Sequence, residues 1–158
     1  MTSEVISATT TIKATPETVF AVLADPGTHA AIDGTGWVTE PIDADHLTRA
    51  GQVFRMGMYH QNHPDGTYEM ANRVEAFDPP RAISWEPGQH SEKTGELETG
   101  GWIWRYDLAA AGPGETEVTL SYDWSAAPPE IRKEIPLPPF GPDHLTNSLQ
   151  HLAALAQS

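Results

Sequence analysis

No cysteine occurs anywhere in the 158 residues. That excludes disulfides, thiolate nucleophiles, cysteine-ligated zinc and iron–sulfur clusters, and it leaves the redox compartment unmarked. Basic residues are scarce as well: 9 Lys and Arg stand against 22 Asp and Glu, for a formal net charge of −13. Such a chain repels phosphate backbones and anionic membrane surfaces, so no nucleic-acid partner is expected, and the acidity reads first as a solvated surface. No apolar run approaches the roughly 20 residues needed to cross a bilayer, and Met1 to Thr11 lacks a basic stretch followed by an apolar one. No membrane insertion is expected, and the expected location is the cytoplasm. Also missing are a nucleophile elbow, a phosphate-binding glycine loop and a dinucleotide fingerprint, Gly34-x-Gly36 being too short to count. No cofactor is expected.

What is present reads as one domain over residues 1–158, long enough to bury a core without metal or disulfide staples. Ile6, Ala8, Thr10 and Ile12 alternate with Ser7, Thr9 and Thr11, the period of a first strand. Thr15-Pro16-Glu17 then supplies an N-cap, a proline at the first helical position and an acid in the first turn; Val19, Phe20 and Leu23 follow at helical spacing. Asp25-Pro26 ends that helix, and a second short one is predicted between Gly27 and Ile32. Phe54, Met56 and Met58 share a strand face, as do Tyr68, Met70, Asn72 and Val74, with a Pro-Asp-Gly turn at residues 64–66 making the two a hairpin. Ile83 and Trp85 share a face after the Asp78-Pro79-Pro80 turn.

The clearest pair comes later. Trp102, Trp104, Tyr106 and Leu108 alternate with Ile103, Arg105 and Asp107, Val118, Leu120, Tyr122 and Trp124 alternate with polar residues, and Gly112-Pro113-Gly114 joins the two runs. They are predicted to pair antiparallel with one strongly aromatic face. The proline-rich stretch from Ala126 to Pro142 reads as an extended connector with at most a helical turn at Ile131–Glu134. Leu145, Ser148, Leu149, Leu152, Leu155 and Ala156 then form the apolar stripe of a last helix. Roughly six strands can be read after the helix pair. The aromatic face needs a cover, which that helix is long enough to provide. The class is α+β.

This order resembles the SRPBCC superfamily, the START-like or helix-grip proteins. The likeness is carried by the stretch from Ile12 through Thr15-Pro16-Glu17 to Asp25-Pro26, by Phe77-Asp78-Pro79-Pro80 leading to Ile83-Ser84-Trp85, by Thr116-Glu117-Val118-Thr119, and by Asn147 to Leu152. It is greatest toward the branch grouped with polyketide cyclases/dehydrases and lipid-transport proteins. The resemblance implies a curved seven-stranded antiparallel sheet around a long C-terminal helix, with two short helices after the first strand and a hydrophobic cavity between sheet and helix. Its motifs are strand, cap and turn residues, so they specify fold rather than activity.

Within that frame Trp85, Trp102, Trp104, Tyr106 and Tyr122 are candidate walls for a flat apolar ligand, and Met56, Met58 and Met70 are candidate flexible lining; an ordinary packed core explains them equally well. Trp124 ends the same aromatic row. Asn72, the polar member of an apolar face, and Tyr68 are candidate polar anchors. His29 and Asp33, four apart on a short helix, are weak catalytic candidates for general base work, against the simpler reading of a surface pair. His144, Asn147 and His151 flank the stripe of the last helix. His60-x-x-His63 with Asp65 lacks the register of a metal site, and no metal is expected. Three functions follow: binding of a small hydrophobic or aromatic metabolite, lipid- or polyketide-like; a cyclase/dehydrase-type enzyme using polar groups of the pocket; or a regulatory protein whose cavity is filled by its own side chains.

Overall fold

Thr15 begins the helical part as its chemistry demands: its hydroxyl oxygen accepts the backbone N–H of Thr18 at 3.2 Å, and Pro16 occupies the first turn. In the computed structural model, which describes residues 4–33, 38–42, 46–59, 67–90, 93–99, 101–134 and 143–157, β1 is Val5–Ile12 and α1 is Pro16–Leu23. A 3-10 turn at Pro26–Thr28, capped by Asp25, leads into α2, His29–Asp33. The strands that follow are β2 (Val38–Pro41), β3 (Val53–Tyr59), β4 (Thr67–Asp78), β5 (Ala82–His90), β6 (Leu97–Thr99), β7 (Ile103–Gly112) and β8 (Glu115–Asp123). Then come α3 (Pro129–Glu134) and α4 (His144–Gln157).

All pairings are antiparallel, and the sheet runs β1-β8-β7-β5-β4-β3-β2, with β6 pairing β5 off this path. Seven strands therefore make the curved sheet that was expected, and short β6 is an eighth. β1 pairs β8 because the chain returns to its beginning, and α4 packs on β1, α1 and α2. The predicted phase holds in β7 and β8, where Trp104 faces Tyr122 and Tyr106 faces Leu120 across the ladder. In β4 a bulge between Val74 and Ala76 resets the alternation, so that Phe77 turns inward and meets Phe20 edge-on at 5.3 Å. The turn joining β3 to β4, and with it Pro64-Asp65-Gly66, lies outside the described residues, as does Gly34–Gly36; the strands on either side pair from Tyr59↔Thr67 onward.

The inner face is not uniform along its length. At one end Ile12, Val19, Leu23, Ile83, Leu108, Val118 and Leu152 are buried together. Hydrogen bonds close that end: the Lys13 N–H donates to Gln157 Oε1 at 2.8 Å, and the Thr116 hydroxyl donates to the Ala14 carbonyl at 2.7 Å. Toward the other end the inward residues of four strands become partly exposed, Ile6 after Ile12 in β1, Met58 after Met56 in β3, Met70 and Tyr68 after Asn72 in β4, and Trp104 after Tyr106 in β7, whereas β8 stays buried through Tyr122.

Candidate functional site

The half-exposed end is where apolar side chains face the helix layer without being covered. Met58 stands opposite Tyr68 and Met56 opposite Met70 across β3 and β4, so the methionines and the phenol form one patch. Trp85 and Trp104 sit side by side across β5 and β7, and Trp102 precedes β7 on the same side of the core. Trp102 is placed by Gly101, whose φ of 90° is one that L side chains rarely adopt and which packs directly on Ala126.

The predicted aromatic row therefore divides. Tyr106 and Tyr122 are 4% and 1% exposed and belong to the packed core rather than to an accessible wall; burial pushes both phenols far above their ordinary range, with Asp33 adding to the effect at Tyr106. Trp85, Trp102 and Trp104 remain partly exposed. Rings contact one another throughout: Trp104 lies 4.6 Å from Tyr122, Tyr122 lies 5.7 Å from Trp124, and Trp85 lies 5.9 Å from Tyr106.

Asn72 is buried at the boundary between the two ends. Its Nδ2 donates to the Phe54 carbonyl at 3.4 Å, a long bond, and its Oδ1 meets no hydrogen-bond donor among the described residues. A buried amide oxygen in that position has an acceptor to offer.

His29 lies in the core rather than at a mouth. Its ring is buried, stacked 4.9 Å from Trp85 and edge-on to Phe54 at 5.5 Å, and its Nε2–H donates to the Leu23 carbonyl at 2.9 Å. Burial holds its pKa below the ordinary 6.5, against the opposing pull of the Leu23 hydrogen bond and the Asp25 charge. The expected pairing with Asp33 is replaced, because α2 is little more than one turn long and its two ends serve different neighbours.

Asp33 instead faces α4. Its Oδ1 lies 3.7 Å from His144 Nε2, with side chains only 16% and 9% exposed. The helices are held in this arrangement by His151, whose Nδ1–H donates to the Ile32 carbonyl at 3.0 Å. His144 and His151 are two helical turns apart and so project from one face of α4. Trp104 meets the His144 ring edge-on at 5.8 Å. Desolvation lowers the His144 pKa, the Asp33 charge opposes this, and His151 adds to the lowering. Tyr68 is pushed up by burial and by the same Asp33 charge, so its phenol stays protonated. Spacing within the sequence pointed to Asp33 and to His144 separately, but nothing local linked them. Asn147 is exposed on α4.

Among the described residues no three of His, Asp and Glu gather as metal ligands; His60, His63 and Asp65 lie outside them. A shallow groove of about 350 Å³ lies on the outer side of β7 and β8, lined by Arg81, Arg105, Asp107 and Glu117. Its arginines pair with Asp78 and Asp107, and none of the inward aromatic residues reaches it. No helix of the described residues is long and apolar enough to cross a membrane.

Comparison with known proteins places this geometry. An uncharacterized protein of Mycobacterium tuberculosis is 28% identical over 122 residues, which are 77% of this chain and 48% of that protein. The chain thus spans about half the length of that relative. A crystal structure of a Mycobacterium smegmatis protein superposes with a TM-score of 0.65 at 19% identity, covering 98% of this chain and 91% of that one. A Thalictrum norcoclaurine synthase point mutant, in complex with a transition-state analogue, superposes with a TM-score of 0.64 at 14% identity, covering 97% and 93%. At such identities these structures share the fold. The sequence model of the group described as polyketide cyclase / dehydrase and lipid transport matches residues 3–157, and with a helix-grip sheet closed by α4 the chain belongs to that family.

Proposed function

We propose that the chain binds a small hydrophobic or aromatic metabolite, lipid- or polyketide-like, between the half-exposed end of the sheet and α4. The observation that carries this reading is the change along the inner face, where Met58, Met70, Trp85 and Trp104 face the helix layer yet stay partly exposed. Apolar area of this kind gains about 25 cal/mol per Å² when a ligand removes it from water. Trp102 and Tyr68 border the same patch, and the Asn72 amide oxygen supplies a buried acceptor for one ligand hydroxyl or N–H. Met56 lies below Met58 as flexible packing under the ligand. Tyr106 and Tyr122 support the floor and do not touch the ligand directly.

Native mass spectrometry after gentle purification is expected to show a bound apolar species. A thermal-shift screen of fatty acids, sterols and aryl polyketides is the second arm. A ligand at a hundred times its Kd stabilises a fold by about 2.7 kcal/mol, or roughly 5–10 °C for a chain of this size. No co-purified species together with no shift across the panel overturns the reading and favours a cavity filled by its own side chains.

A further inference from the structure

Asn72 stands where the strand pattern asks for a hydrocarbon. Its register partners are Phe54 on β3 and Pro87 on β5; along β4 the same face carries Met70 and Val74, with Met56 and Trp85 opposite them. The amide is 6% exposed in that surrounding. Its orientation follows from chemistry: the Phe54 carbonyl can only accept, so the atom 3.4 Å from it is Nδ2, and Oδ1 is turned the other way. Buried His29, Ser84 and Thr116 each spend a polar atom on a backbone group, at 2.9, 3.0 and 2.7 Å. The Asn72 oxygen meets no donor among the described residues, although a buried acceptor without one is costly.

Charge points the same way. Arg55, Arg73 and Arg105 alternate with inward residues of their strands and so stand on the outer face, where they pair with Glu69, with Glu75 and Glu86, and with Asp107. The remaining described lysines and arginines are exposed. Among the described residues, then, no basic side chain faces the inner side, while Asp33 brings a carboxylate to its half-exposed end. We propose that Asn72 makes the pocket selective for neutral ligands that carry a hydrogen-bond donor, alcohols and phenols, seated with the hydroxyl against Oδ1 and the hydrocarbon over Met70, Met58 and Trp85. This rests on the pocket reading above and names the ligand class within it. A buried acceptor is served by water until a ligand displaces that water. An alcohol restores the bond, whereas an ether brings one acceptor to another and leaves the amide oxygen unpaired. A carboxylate brings only acceptors too, and it finds no positive partner on this face.

The test is calorimetric titration of the intact chain with two matched sets of probes: β-naphthol, β-methoxynaphthalene and β-naphthoate, and decanol, decyl methyl ether and decanoate. In each set the alcohol is expected to bind about tenfold more tightly than the ether, within the range that an unpaired buried acceptor costs, and the carboxylate to bind most weakly. Asn72→Leu, close in volume and apolar, should abolish the preference of alcohol over ether while ether binding stays unchanged or tightens. Asn72→Thr keeps an oxygen acceptor on a side chain that strands accept and should retain part of the preference, a rescue that a merely structural role would not produce. Thermal melts of both variants keep folding separate, and the wild-type comparison stands without either. Ethers that bind as tightly as the alcohols, or a preference that survives Asn72→Leu, overturn the role of Asn72 and leave the pocket reading in place. Carboxylates that match the alcohols overturn the selectivity for neutral ligands. Failure of every probe to bind removes the pocket reading and this inference together.

Discussion

The two ends of one inner sheet face are built from the same strands, yet they have been packed differently. At the closed end, β-branched and leucine side chains from β1, β5, β7 and β8 meet α1 and the last turns of α4 with almost no exposed area. At the half-exposed end the inward residues are methionines, indoles and a phenol, and the helix layer adds Asp33 and His144, with Trp104 edge-on to the His144 ring. One end is closed to water and the other leaves apolar side chains partly exposed. The difference teaches that an aromatic alternation reports which side of a strand is inward, while the residue opposite reports whether that side is filled.

The comparison can be broken by measurement. Leu152→Ala, at a fully buried position of the closed end, should cost about 2–5 kcal/mol in denaturant unfolding. Gly101→Ala should cost about 3 kcal/mol, because it combines a positive φ with a Cβ placed 2.5 Å from the Ala126 carbonyl oxygen. It would also displace Trp102, which follows it directly in the chain. His29→Phe keeps a ring beside Trp85 but leaves the Leu23 carbonyl without its donor, for about 1–3 kcal/mol above neutral pH.

The same variant has a pH signature. His29 is held below 6.5 in the folded state, so the unfolded chain binds a proton at 6.5 that the folded chain refuses. The stability due to neutral His29 is therefore complete above that pH and falls as pH drops through and below it; His144 acts in the same sense. Unfolding curves of the wild type should slope downward there, and His29→Phe should flatten part of that slope. Met58→Ala should cost about 1 kcal/mol or less, since the site is already partly exposed, while weakening ligand binding in the thermal-shift screen. Equal stability losses at Leu152 and Met58 would erase the distinction between the ends.

Much of the frame was legible from local rules. Thr15-Pro16 starts α1 as its cap chemistry requires, and the stripe from Leu145 to Ala156 is the buried face of α4, with Leu155 only partly covered. The tryptophan and tyrosine alternation in β7 and β8 is the register observed. Short β2 and β6 escaped notice because each is three or four residues long, too short for a period to show. The β4 bulge escaped because inserting one residue breaks the alternation that reveals a strand. The His29–Asp33 spacing misled because one turn of helix turned these residues to different partners.

By itself the sequence determined which residues point inward in most strands, where the first helix starts, and that thiol chemistry is closed to this chain, since periodicity, capping and composition act within a few residues. Only the tertiary structure decided that Tyr106 and Tyr122 are buried in the core while Trp85 and Trp104 stay partly exposed, and that Asp33 meets His144. Those outcomes depend on β1 pairing with β8 and on α4 returning to α2 from the far end of the chain, contacts set by packing rather than by neighbouring residues.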